Sequence, residues 1–325
     1  MTLEQLSPSD VSVNPVLAEV VRSGFVESRH RGAIAALAPD GTFAFTAGSA
    51  NTPVFPRSSN KPLQATAMLT AGLPLQGELL ALAAASHSGE DFHVQGVRDI
   101  LDFAGLTEDD LQCPPSLPLD EPTARRLIKE SEAPESRARM NCSGKHAAML
   151  VTCIANDWPL KTYLDPEHPL QRHIRKTIEE LAREPVAAIA VDGCGAPLFA
   201  LTLAGVARAF RALVLAEPGT PERKIADAMR KFPEWTSGTH RDENRLMASI
   251  PGLLLKGGAE GVDAFALADG SAAALKLEDG SARARTPVTV AVLARLGAQP
   301  PAGLATTTVD GGGSQVGEIR PVRLG

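Results

Sequence analysis

Tyrosine is nearly absent from this 325-residue chain, with Tyr163 its one example. Tyr163 is far in sequence from any serine–lysine motif, which removes a tyrosine base from the chemistry expected here. No run of 18 uninterrupted apolar residues exists, so nothing is expected to cross a bilayer. The segment Met1-Thr2-Leu3-Glu4-Gln5 has neither the basic n-region nor the apolar h-region of an export signal. A cytoplasmic location is therefore expected. Basic runs are missing and the net charge is −6, which excludes nucleic acid as the main partner. There are four cysteines, Cys113, Cys142, Cys153 and Cys194. No Cys-x-x-Cys pair occurs among them, so zinc-ribbon and dithiol redox motifs are excluded. A cytoplasmic setting also disfavours disulfides. No 20–50-residue repeat and no low-complexity linker divides the chain.

Apolar residues make up 44% of the sequence, ample for a core. The first residues, 1–14, read as a loose tail. Residues 34–38 and 42–45 flank Pro39-Asp40-Gly41, a hairpin signal. Near the other end, residues 264–285 alternate short apolar runs with Asp269-Gly270 and Asp279-Gly280, and read as a meander. Between these ends the pattern is helical, with segments at 63–73, 79–86, 92–104, 122–131, 145–156, 170–183, 199–212 and 222–232. A last helix follows at 287–296. The expectation is one α/β domain over 1–325. Its sheet is assembled from both termini, with a helical region at about 60–185 inserted between them.

Chemistry concentrates in a few places. Arg57-Ser58-Ser59-Asn60-Lys61-Pro62 holds Ser-x-x-Lys at the start of a helical pattern. Residues i and i+3 share a helix face, so Ser58 and Lys61 are expected to meet. A serine beside a partly neutral lysine is an activated nucleophile. Pro62 is tolerated only in the first helical turn, which puts Ser58 at the helix start. The plainer reading is an N-cap serine and a surface lysine. Ser86-His87-Ser88-Gly89-Glu90-Asp91 packs hydroxyls, an imidazole and carboxylates into one loop. It is read either as Ser88 capping the next helix or as a second hydroxyl that relays a proton.

Asn141-Cys142-Ser143-Gly144-Lys145-His146 opens another helix, with Cys142 and Lys145 again at i, i+3. Cys142 is read as a reactive thiolate, a metal ligand, or a buried filler. Val191-Asp192-Gly193-Cys194-Gly195 offers a second thiol beside a carboxylate. Cys153 lies in an apolar run and Cys113 precedes two prolines, so both read as structural. Lys256-Gly257-Gly258-Ala259 closes an apolar strand, with glycines that let another group approach the backbone. The bland alternative is a solvated strand-end lysine.

These blocks, taken in order from about Ser23 to Leu277, resemble the L-asparaginase II family, the rhizobial-type or class 3 asparaginases. The most specific piece is Asn141-Cys142-Ser143-Gly144-Lys145-His146. The resemblance implies a serine β-lactamase-like or penicillin-binding-protein-like fold, with a central mostly antiparallel sheet flanked by helices. It implies hydrolysis of the side-chain amide of L-asparagine, with Ser58 as nucleophile paired to Lys61, and Ser86 as second serine linked to Lys256. It implies one zinc ion per chain at Cys142, Lys145 and Cys194, which orients the substrate and does not generate the nucleophile. Arg57, His146 and Asp192 are implied as substrate contacts, and a homodimer as the assembly. Two features depart from the pattern: the loop Ser86-His87-Ser88-Gly89-Glu90 lacks an extra serine, and Thr239-His240-Arg241-Asp242-Glu243 lacks a further cysteine. Two rivals stand beside this expectation. One is a related serine amidase, a glutaminase or β-lactamase. The other is a thiolate-zinc or redox-sensing protein without turnover.

Overall fold

The computed structural model describes residues 14–323. The expected N-terminal tail lies outside the described residues except for Asn14. The chain opens with strands β1 (Val16–Arg22), β2 (Phe25–Leu37) and β3 (Phe43–Ala47). After the two-residue strand β4 (Pro53–Val54) come helices α1 (Lys61–Thr70), α2 (Gly77–Ala83), α3 (Asp91–Asp102), α4 (Glu121–Glu130), α5 (Ser143–Ala155) and α6 (Pro169–Ala182). The short strands β5 (Ile189–Val191), β6 (Pro197–Phe199) and β7 (Leu201–Thr202) interrupt the helices. Helices α7 (Leu203–Leu215), α8 (Pro221–Lys231), α9 (Pro233–Thr236) and α10 (Asp242–Ser249) follow. The meander β8 (Leu254–Gly258), β9 (Val262–Ala266) and β10 (Ala272–Leu277) leads into α11 (Arg285–Arg295) and a final hairpin, β11 (Thr307–Gly311) and β12 (Ser314–Pro321).

The main sheet is mixed in origin and antiparallel in every pairing. Its order is β11-β12-β1-β2-β10-β9-β8, with β3 also on β2. The first and last parts of the chain thus share one sheet, as the two hairpin-rich ends lead one to expect. Strands near its centre are apolar on both faces because both faces are covered. Ala33, Ala35, Leu37, Leu254, Ala264 and Ala274 join one core, with α1, α5, α6, α7 and α8. Ile34, Ala36, Leu255, Phe265, Ala273 and Leu275 turn to the other, with α10 and α11. The period of two divides each strand between these layers. No described helix is long and apolar enough to cross a membrane.

Several expectations need correction. Residues 281–285, read as the last strand of the meander, form a 3₁₀ turn at Ala282–Ala284 that runs into α11. The helix expected from residue 199 starts at Leu203, because the Thr202 side chain caps the Gly205 amide and Phe199 belongs to β6. The helical region continues past 185, through α7 to α10.

Candidate active site

Ser58 lies on a 3₁₀ turn, Arg57–Asn60, that runs directly into α1. Pro62 occupies the second position of α1, where a missing N–H costs no helical bond. The turn is pinned on both sides of Ser58. The Ser59 hydroxyl donates to the Lys256 carbonyl at 2.8 Å, and Asn60 Nδ2 donates to the Phe199 carbonyl at 3.0 Å. Arg57 has φ +54°, a left-handed conformation costly for any residue with a side chain. Its Nε donates to Asp192 Oδ1 at 2.8 Å, which helps hold it there. Ser58 is 9% exposed, against 0–1% for Ser59, Asn60 and Lys61, so it is the turn's point of access. Among the described residues no hydrogen bond engages its hydroxyl.

The pairing expected from the sequence is not the one observed. Lys61 donates to the Ala85 carbonyl at 2.5 Å, to Ser86 Oγ at 3.0 Å and to the Asn141 carbonyl at 3.4 Å. An ammonium has three donors, and these acceptors use all of them. Lys61 therefore meets Ser86 and not Ser58. Lys256, expected beside Ser86, donates to the Gly257 carbonyl at 2.7 Å. What joins Ser58 to Lys256 is the backbone: the 3₁₀ turn packs on β8 through Ser59.

The Ser86 loop is clamped from two sides. Ser86 N–H donates to the Thr236 carbonyl and His87 N–H to the Asn141 carbonyl, each at 3.1 Å. His87 Nδ1 accepts from Gly89 N–H at 3.1 Å, which leaves its Nε2–H to donate to Ser143 Oγ at 2.8 Å. Burial, with His93 and Lys61 nearby, holds the His87 pKa well below its ordinary value. Ser88 does not cap α3: its hydroxyl donates to the Ser237 carbonyl at 2.9 Å, and the N-cap position is Glu90.

Lys256 is buried on β8, and its pKa is lowered to about 7. Burial is the main cause and Lys61 the next, while Glu243 opposes both. Beyond Gly257 lies a charged layer that the sequence reading missed. Arg285 Nη2 donates to Glu243 Oε1 at 2.8 Å, and its Nη1 donates to the Gly258 carbonyl at 2.9 Å. Its Nε is 3.2 Å from Asp263 Oδ1, and Thr289 donates to Asp263 Oδ2 at 2.6 Å. A carboxylate inside the apolar run of β9 is the one sequence signal that pointed there. A Cβ on Gly257 would overlap Glu243 Oε1 and meet Arg285 Cζ at 3.0 Å. Gly257→Ala is therefore expected to lower stability by about 1–3 kcal/mol. Urea unfolding checks this, and an unchanged midpoint would contradict the packing.

The two thiols expected near the site do come together. Cys142 stands at the N-cap of α5, and Cys194 sits on the turn between β5 and β6. Sulfurs of Cys142 and Cys194 and a carboxylate oxygen of Asp192 all lie within 4.8 Å of one another. Lys145 Nζ donates to Cys194 Sγ at 3.3 Å. Hydrogen bonding from Cys142 and the Lys145 charge hold Cys194 far below the ordinary thiol pKa, overcoming its burial. Cys142 is pushed up in turn, chiefly by its bond to Cys194 and by burial. Burial pulls Lys145 down, but the sulfurs and Asp192 outweigh it and its pKa is raised. These interactions thus favour negative charge on Cys194 beside the Lys145 amine, with the proton held toward Cys142.

The donor set fits a thiophilic, tetrahedral ion, with two sulfurs and a carboxylate at ligand-to-ligand spacing. Lys145 could add a nitrogen only after losing its proton. His146, expected as a substrate contact, is fully buried, with Nδ1 2.7 Å from the Tyr163 hydroxyl. Cys113 and Cys153 are buried thiols raised by burial to about 11 and about 12, in keeping with structural roles.

The model of a family described as L-asparaginase II matches residues 18–321. No curated protein matches. Among solved structures, one described as a crystal structure analysis of Mglu in its tris and glutamate form aligns over 87% of this chain at 16% identity, with a TM-score of 0.34. The chain spans 62% of that structure's length, and likeness at this level carries no argument.

Proposed function

Since a family model covering residues 18–321 places the chain in the L-asparaginase II family, we propose that it hydrolyses the side-chain amide of L-asparagine to L-aspartate and ammonia. Family membership supports amide hydrolysis on a small amino-acid substrate. The observation that carries the site assignment is the pair of buried lysines beside the Ser58 turn, one of them with a pKa near neutrality. In this reading Ser58 attacks the amide carbon, and Lys256, about half neutral at pH 7 and mostly neutral above it, receives its proton. General base catalysis of this kind contributes ~10²–10⁴-fold. The amine that removes the proton is thus assigned to Lys256, and Lys61 begins the cycle as the ammonium. Lys61 and Ser86, in direct contact, deliver a proton to the departing ammonia. Water then attacks the acyl-enzyme and releases aspartate, with the same groups acting in reverse.

Arg57 and Asp192 flank Ser58, and we assign them to the amino-acid end of the substrate. Zinc, bound by Cys142 and Cys194 with Asp192 or a deprotonated Lys145, would supply a Lewis-acid contact that orients that end. The turn of Ser58 laid against β8, with the central antiparallel sheet behind it, is what supports a serine β-lactamase-like fold in one domain. A homodimer is carried as part of the same proposal, and sedimentation equilibrium tests it.

The decisive assay is ammonia release from asparagine, glutamine and simple amides, with nitrocefin hydrolysis run in parallel. Turnover highest on asparagine is expected. Nitrocefin hydrolysis with no ammonia from asparagine would move the reading to a β-lactam hydrolase. Protein purified without chelator should carry about one zinc per chain. Less than about a tenth of that would remove the metal from the proposal, and zinc without turnover on any amide would favour a thiolate-zinc sensor.

A further inference from the structure

Tyr163, the single tyrosine, is fully buried and takes part in none of the steps above. Its oxygen accepts the Gln112 N–H at 3.0 Å. Its own proton needs an acceptor, because a buried hydroxyl that makes no hydrogen bond forfeits its solvation without compensation. Among the described residues the only acceptor in reach is His146 Nδ1, at 2.7 Å. Burial raises the phenol well above its ordinary value, so the proton stays on the oxygen. Nδ1 is then a lone pair, and the imidazole carries its hydrogen on Nε2. That Nε2 is buried without a nitrogen or oxygen partner. The Cys194 sulfur lies close enough to His146 to act on its charge, and it is the acceptor left for this hydrogen.

We propose that His146 is a hydrogen-bond donor to the Cys194 sulfur and not a metal ligand, and that Tyr163 locks it in that tautomer. The chain of contacts runs Gln112 amide, Tyr163 hydroxyl, His146 ring, Cys194 sulfur. It ties the β5–β6 turn to α5. Partners of this kind orient a ligand and tune its electron density, and their loss typically costs 10–100-fold in metal affinity. The metal part of the inference rests on the proposed zinc site, while the tautomer does not.

The test uses ¹⁵N-histidine NMR on the full-length protein, first after chelator treatment and then loaded with zinc. The His146 signal is assigned from its disappearance in His146→Gln. A protonated Nε2 and an unprotonated Nδ1 in both states are expected. An unprotonated Nε2 in either state overturns the proposal. Tyr163→Phe keeps the ring and removes the hydroxyl, and with it both the locking proton and the acceptor of the Gln112 N–H. It is expected to mix the tautomers and to weaken zinc binding about 10-fold in competition with a chromophoric chelator. Wild-type zinc affinity in both Tyr163→Phe and His146→Gln would overturn the positioning role. Should the wild-type chain take up no zinc, the metal site itself fails, and the spectrum of the metal-free protein still decides the tautomer.

Discussion

Ser58→Ala is expected to abolish amide turnover, with kcat lowered by about 10⁴-fold or more. The magnitude follows from the role: without the hydroxyl no acyl-enzyme forms, and water must attack directly. The substitution is structurally mild. The hydroxyl makes no hydrogen bond among the described residues, whereas its neighbours Ser59 and Asn60 make buried ones. Stability should therefore change by less than about 0.5 kcal/mol. Steady-state ammonia release and a thermal melt check both halves. Wild-type turnover in the variant would end the assignment of Ser58. Ser59→Ala is the informative contrast, because it removes the tie between the turn and the Lys256 carbonyl. It should lower both stability and rate.

The second large effect concerns Lys256. With a pKa of about 7 in the folded protein, the neutral amine is the active form, and kcat/KM should fall as pH drops through about 7. Lys256→Met should lower kcat by ~10²–10⁴-fold and remove that acid limb. Stability should move the other way. An amine lowered from 10.5 to about 7 has shed its proton in the folded state over a range where the unfolded chain still holds one. The unfolded state binds more protons there, so wild-type stability rises with pH between about 7 and 10.5. Methionine removes the cost of burying that group and should flatten this slope while raising the melting temperature at pH 7. A variant both inactive and less stable would show that Lys256 serves the fold and not the chemistry.

Much of this was legible in the sequence, for identifiable reasons. The hairpin around Pro39-Asp40-Gly41 is visible because its turn chemistry is local, and the helices carry a period of 3.6 residues. The strand at residues 281–285 failed because the apparent alternation of Ser281, Ala282, Arg283, Ala284 and Arg285 is also compatible with a tight turn. In the structure Arg285 is committed to Glu243 and the Gly258 carbonyl. The short helix α10 and the closing hairpin β11–β12 carry weak patterns, and tertiary contact decides them. At the site, the residues that meet were all quotable in advance, but their pairing was not. Which hydroxyl Lys61 reaches depends on where the loops at Ala85 and Asn141 pass, separated from it by 24 and 80 positions. The charged layer of Glu243, Asp263 and Arg285 is likewise assembled from three distant segments.

The sheet drawn from both ends of the chain has a consequence for biosynthesis. While the ribosome is still making the central helices, β2 has no β10 beside it and the Ser58 turn has no β8 to rest on. Long-range pairing of this sort is slow to form and leaves unpaired edges exposed while it waits. The groups proposed for catalysis sit on both sides of that late seam, with Ser58, Lys61 and Ser86 made early and Lys256 made near the end. Under the proposed assignment a nascent or truncated polypeptide carries the nucleophile without its base, and competence arrives with closure of the sheet.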